Sequence, residues 1–234
     1  MNSLGEAFAA AWRLIAGFDA ELAQVVGLSL QVSLIAVVIA TLIGLPIGAM
    51  IAVGRFSGRQ TLIVLLNALM GLPPVVVGLV VYLLLSRAGP LGNLGILFTP
   101  TAMVIAQTVL ITPIIAALSR QIIEDAWREY DEQLRSLGAR RINAAMTLIW
   151  DTRFSLLTIL LAGFGRAAAE VGAVMIVGGN IAGVTRVMTT TIALETSKGD
   201  LPLALGLGIV LITLVIVLNA LAAVIREMAL RRYG

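Results

Sequence analysis

Residues 22–53 run for 32 positions without an Asp, Glu, Lys or Arg. At about 1.5 Å per helical residue this stretch outreaches a hydrocarbon core of about 30 Å, so it must tilt, bend or protrude. Soluble domains carry about 25% charged residues. Here charged residues make up 12% of the chain, apolar residues 59%, and the mean hydropathy is +1.03. The chain therefore reads as an all-α, polytopic membrane protein, and its 234 residues accommodate about five transmembrane helices.

The spans expected are 22–53, 62–85, 99–118, 154–177 and 201–225. Gly44-Leu45-Pro46-Ile47-Gly48 is the natural bend in the first. Gly71-Leu72-Pro73-Pro74 breaks the second, and backbone groups freed there must be buried in protein or line a wet path. The alternative is a purely structural kink. Residues 86–98 form an external turn, and the third span bends near Thr112-Pro113. Thr99-Pro100 and Asp200-Leu201-Pro202 pair a capping side chain with a proline, as helix starts do. Residues 1–21 are too short to span and form an external or interfacial N-terminal helix, leaving 22–230 as one transmembrane domain.

With no cysteine and no histidine, the chain has no disulfide, thiolate nucleophile or imidazole base. It also lacks a Gly-x-x-x-x-Gly-Lys-Ser/Thr loop for ATP. No catalytic residue, metal site or cofactor of its own is expected. The net charge of +3 and pI near 9.9 reflect orientation rather than nucleic-acid binding. Arg55, Arg59, Arg120, Arg128, Arg135, Arg140, Arg141, Arg153, Arg226, Arg231 and Arg232 lie on one side, against Arg13, Arg87, Arg186 and Lys198 on the other. The positive-inside rule puts the C-terminus in the cytoplasm and the N-terminus outside.

Residues 120–150 are the one long polar island. Ile123, Trp127, Tyr130, Leu134 and Leu137 recur at helical spacing. Gly138 supplies a helix stop, and a second amphipathic run follows through Ile142, Ala145, Met146 and Ile149. Two short helices bent at a glycine, each with its stripe against the protein body, would make a docking element at the cytoplasmic surface. An ordinary surface hairpin is the plainer reading.

Glu132-Gln133-Leu134-Arg135-Ser136-Leu137-Gly138-Ala139 resembles the cytoplasmic EAA loop of ATP-binding-cassette importer permeases, with Gln133 and Leu134 in place of two alanines. Leu148-Ile149-Trp150-Asp151 departs from the Ile-x-Leu-Pro end of many members. The resemblance implies the type I importer permease fold, with Glu132, Arg135, Leu137, Gly138 and Ala139 in a coupling loop that fits a groove in an ATPase subunit. Residues 72–78 and 169–180 resemble molybdate and tungstate permeases, and Gly178-Gly179-Asn180 with residues 185–191 is most similar to the tungstate branch. The likeness covers roughly residues 22–225. It implies a prokaryotic inner-membrane protein that moves an oxyanion, tungstate in the first instance. Its partners would be membrane lipid, a second copy of the permease, a cytoplasmic ATPase dimer holding ATP and magnesium, and an extracytoplasmic substrate-binding protein. Molybdate, methionine or another small solute is the near alternative.

Residues 163–172 hold the only charges expected inside a span, Arg166 and Glu170, four apart and able to pair. Together with Pro73, Pro74, Val75, Val76, Val77 and Gly172 they are the candidates for the permeation path or gate. A static ion pair between helices is the bland alternative, and a proton relay in an ion-coupled secondary transporter the distant one. Thr185, Arg186, Thr189, Thr190 and Thr191 offer hydroxyls and one cation for a tetrahedral dianion at the outer face. A solvated, capped external helix would use the same residues.

Overall fold

The computed structural model describes residues 20–233, and before them Gly5, Ala9, Trp12, Arg13 and Gly17. The N-terminal helix expected over 1–21 falls almost wholly outside the described residues. Those residues form nine α-helices: α1 (Ala20–Val53), α2 (Arg59–Leu69), α3 (Pro74–Leu85), α4 (Pro100–Ser136), α5 (Arg141–Asp151), α6 (Arg153–Ala168), α7 (Gly172–Gly178), α8 (Met188–Lys198) and α9 (Leu201–Tyr233). Among the described residues three helices are long and apolar enough to cross a membrane, at Leu22–Val53, Pro100–Ser136 and Leu201–Leu221. Two bent pairs raise the number to as many as five, α2 with α3 at 98° and α5 with α6 at 76°.

The longest contact joins α1 and α4. Pro46 lies inside α1 and Pro113 inside α4 without interrupting either helix. The bend expected at Gly44–Gly48 is thus a packing seam. A Cβ on Gly44 would sit 2.9 Å from Thr112 O, and one on Gly48 2.5 Å from Ala116 O and 2.3 Å from Ser119 Oγ. Only glycine permits backbones to approach this closely.

The third span does not end at 118. No Gly or Pro interrupts residues 114–136, and Arg120–Glu124, Glu124–Arg128 and Asp131–Arg135 pair across single turns, so α4 continues to Ser136. The first half of the polar island is its overhang rather than a separate short helix. At about 1.5 Å per residue the 37-residue helix is roughly 55 Å long, well beyond a hydrocarbon core. Thr99 does precede α4, but its hydroxyl donates back to Ile96 O and makes no cap bond. Asp200 does cap α9, accepting from the Leu203 N–H at 3.2 Å.

The fourth span, expected unbroken over 154–177, is two helices, α6 and α7, interrupted at 169–171. Two smaller clusters and two larger cores hold the bundle. One gathers Ala36 and Ala40 of α1, Ile111 and Ile115 of α4, Leu148 of α5 and Phe164 of α6. The other packs Val77 and Val81 of α3 and Met103 of α4 against Val174 and Val177 of α7. The fifth expected span, α9, runs on past residue 225 to Tyr233.

Candidate functional site

The interruption at 169–171 gathers polar groups from across the fold. Its backbone leaves the helical ladder, with Val171 at φ −115° and ψ −54°. Apolar surroundings offer such groups no water, so side chains must serve them. Gln107 of α4 donates Nε2–H to Ala167 O at 3.1 Å, and Thr189 of α8 donates its hydroxyl to Glu170 O at 2.7 Å. The buried Glu170 carboxylate caps the first turn of α7 by accepting the Ala173 N–H at 3.1 Å on Oε1. Its Oε2 takes Arg166 Nη1 at 2.8 Å. The pair expected from their spacing therefore meets, though Glu170 lies in the break and not on one helix face with Arg166. The two ends differ: the Glu170 side chain is 3% exposed and that of Arg166 38%.

Ser29 of α1 accepts the Met188 N–H at 2.7 Å, fixing the start of α8. Ser29, Ser33, Gln107, Glu170 and Thr189 surround a cavity of about 10 Å³, the threshold for one water molecule. Gln107 Oε1 has no protein partner there. Sequence reading missed Ser29, Ser33 and Gln107. The available signal was two serines one turn apart in the first span and the one amide of the third.

The second broken span packs directly on this one. A Cβ on Gly172 would lie 2.9 Å from Val75 Cγ2, and one on Gly78 2.7 Å from Ala173 Cα. Among the gate candidates, Val75 is thus brought against Gly172 and, through it, to Glu170. Pro73 precedes α3 as its N-cap and Pro74 begins it. Val77 is buried in the α3–α7 core, whereas Val75 and Val76 face outward, 57% and 49% exposed.

The threonines expected near the outer face have their side chains turned into the protein. Thr185, Thr189, Thr190 and Thr191 are all buried. Thr185 donates to Gly178 O at 2.6 Å and accepts the Ile181 N–H. Thr190 and Thr191 donate to Val187 O. These hydroxyls satisfy backbone groups at Gly178, Ile181 and Val187, and that of Thr189 the Glu170 carbonyl, which accounts for their burial. Arg186 is half-buried, with its N–H on Ile181 O.

At the opposite end, Gly138 adopts φ +70° and closes α4. Its N–H reaches Arg135 O at 2.9 Å while the Ala139 N–H reaches Leu134 O at 2.9 Å, the paired bonds of a Schellman stop. The bend is where the sequence put it, but the apolar stripes divide differently. Ile123 is buried and Trp127, Tyr130 and Leu134 are half-buried against the body. On α5 the inward residues are Ala144, Ala145 and Leu148. Leu137, Ile142, Met146 and Trp150 point away, each more than half exposed. Arg135, paired with Asp131, lies 5.9 Å above Trp127; Glu132 is exposed and Ala139 half-buried. The hairpin is held to the body by one face and presents an apolar strip, ringed by charge, on the other.

Comparison with known proteins gives this geometry a family. Residues 44–234 match the model of the binding-protein-dependent transport system inner membrane component. The tungstate uptake system permease protein TupB of Peptoclostridium acidaminophilum is 39% identical over 227 residues, 97% of this chain and 100% of its own. A probable anion ABC transporter permease protein of Haloferax volcanii is 38% identical, covering 91% of this chain and 94% of its own. More distantly, the sulfate transport system permease protein CysW of Synechocystis is 29% identical over 86% of this chain and 75% of its own. The chain belongs to the family of inner membrane components of binding-protein-dependent transport systems.

Proposed function

We propose that this chain is the permease subunit of an ATP-driven importer of a tetrahedral oxyanion, tungstate, received from an external binding protein. The observation that carries the substrate is the 39% identity, over 97% of this chain and 100% of the relative's, to a tungstate uptake permease. The chain takes no catalytic part; ATP and its magnesium are held by two cytoplasmic ATPase subunits. Their docking surface is the outward strip Leu137, Ile142, Met146 and Trp150 with Glu132, Arg135, Gly138 and Ala139 around its bend. Two copies of the permease enclose the pathway, since five spans from one chain do not close a pore. Pro73, Pro74 and Val75–Val77 border that pathway, backed by Gly172 and the Arg166–Glu170 pair. The N-terminus is outside and the C-terminus in the cytoplasm, following the Lys and Arg distribution.

Uptake of labelled tungstate by cells lacking their own permease gene, complemented by this one, tests the substrate. Excess molybdate or sulfate should compete poorly. Uptake abolished by a small excess of sulfate would move the assignment to the sulfate carriers. The pathway has its own test, because the chain holds no native thiol. Val75→Cys and Val76→Cys should react with small aqueous thiol reagents at rates that change with nucleotide. Equal inertness in every nucleotide state would place the pathway elsewhere.

A further inference from the structure

The cytoplasmic end of α1 carries an apolar groove of about 510 Å³, bordered by Pro46, Ile47 and Met50 of α1, Leu62 of α2 and, at one end, Arg55 and Arg141. Pro46 precedes Arg55 by nine positions, so the groove climbs about 13 Å along the helix from its charged mouth. The mouth adjoins a second hollow of about 350 Å³, lined by Arg55, Arg59 and Arg128 with the single carboxylate Glu124, and sharing the wall Gly54, Arg55 and Phe56. A hydrocarbon slot leading into a basic cup has the polarity of an amphiphile.

The cup is short of negative charge. Glu124 is shared among Arg59, Arg120 and Arg128, the last also 3.8 Å from the exposed Asp125, and Asp131 between Arg55 and Arg135. The Arg55–Asp131 contact is loose, at 3.6 Å, with the arginine side chain 64% exposed. Arg141 donates Nη1–H to the Arg55 carbonyl at 3.4 Å, and no carboxylate among the described residues pairs with it. Two guanidiniums with spare donors at the mouth of an apolar groove suit a phosphate diester that carries acyl chains.

We infer that this groove binds one anionic phospholipid, its phosphate between Arg55 and Arg141 and an acyl chain along Ile47 and Met50. The lipid ties the end of α1 to the start of α5, the two elements that Arg141 already bridges. The site requires only that this end of α1 lie at a membrane surface, and it stands whichever solute is carried.

Full-length protein, purified in mild detergent and stripped of lipid, provides the test. Added phosphatidylglycerol should raise the thermal midpoint by on the order of 5 °C over phosphatidylcholine. The double variant Arg55→Gln/Arg141→Gln should lose that difference. Ile47→Trp, which fills the slot and leaves both arginines in place, should lose it as well and should co-purify with less phosphatidylglycerol. Equal shifts with both lipids, or an undiminished shift in Ile47→Trp, would overturn the site. A shift reproduced by inorganic phosphate alone would make it a free-anion site instead. A change in dimer fraction without lipid dependence would assign the groove to a second copy of the chain.

Discussion

Two pairs of helices in this molecule treat their backbones in opposite ways. The α1–α4 pair contains Pro46 and Pro113 yet neither helix breaks, and Gly44 and Gly48 of α1 allow its close approach to α4. The α3–α7 pair also packs through glycines, Gly78 and Gly172, but each of its members begins just after a break. One of those breaks has two prolines and the other has none. Proline therefore does not decide where a span is interrupted here. At 169–171 the freed Glu170 carbonyl is served by Thr189, and Gln107 adds a second donor to Ala167 O, which also accepts the Glu170 N–H. Unbroken helices form the frame, and the broken ones bring irregular backbone to a buried polar cluster.

The frame should be the least forgiving. Gly48→Leu puts a branched side chain where even a Cβ overlaps Ala116 O, and the seam must part. A loss of about 3 kcal/mol or more is expected, read as collapsed yield or a large fall in thermal midpoint. Gly27→Ala on the same helix meets nothing within 4 Å and should be harmless. If both variants purify equally well, the seam is not what holds the frame.

At the break, Glu170→Gln keeps an acceptor for the Ala173 N–H but deprives Arg166 of its counter-charge. The expected cost is about 2 kcal/mol, since the carboxylate is buried and the guanidinium partly solvated. Arg166→Leu combined with Glu170→Gln should recover part of it. A double-mutant cycle with strictly additive losses in stability would show that the two charges act independently.

How much of this was legible follows the same division. Local signals worked: the charge-free stretch of α1, the prolines at the starts of α3, α4 and α9, and the glycine stop at 138 were all readable from neighbouring residues. The break at 169–171 was not, because Arg166-Ala-Ala-Ala-Glu-Val171 holds no Gly or Pro and favours helix. Its cause lies at Gln107 and Thr189, distant in sequence. The continuation of α4 past 118 was hidden for the converse reason. A switch from apolar to charged composition looks like a boundary, but composition marks where the helix leaves the lipid and not where it ends. The backbone partners of the threonines of 185–191 were not legible, because hydroxyl content cannot say whether a backbone carbonyl or a solute is the partner.

Gly138 tests the stop that the sequence did place. Nothing lies within 4 Å of a Cβ there, so Gly138→Val acts through its φ of +70° alone. The strain is about 1–2 kcal/mol at the joint. Co-purification with the ATPase should fall while the thermal midpoint of the isolated chain changes little. Wild-type co-purification together with full ATPase coupling would remove the hairpin from the docking surface.

The smallest effect separates the two kinds of helix most cleanly. Thr41 on α1 and Thr189 on α8 each donate a hydroxyl to a carbonyl at 2.7 Å, and both are largely shielded. The acceptors differ. Val37 O belongs to the regular ladder of α1, where the residue-41 N–H already serves it, whereas Glu170 O lies in the break outside any helix. Replacing each threonine with valine removes a hydroxyl at nearly constant volume. Thr41→Val should therefore be close to neutral, while Thr189→Val strands a carbonyl and should cost about 1 kcal/mol or somewhat more. Thr189→Ser, which keeps the donor, should restore most of the loss. Thermal midpoints of the three variants in one detergent decide the matter. Equal losses for Thr41→Val and Thr189→Val would mean that the break is no more dependent on side-chain donors than an intact helix, and the contrast between frame and broken spans would fall with it.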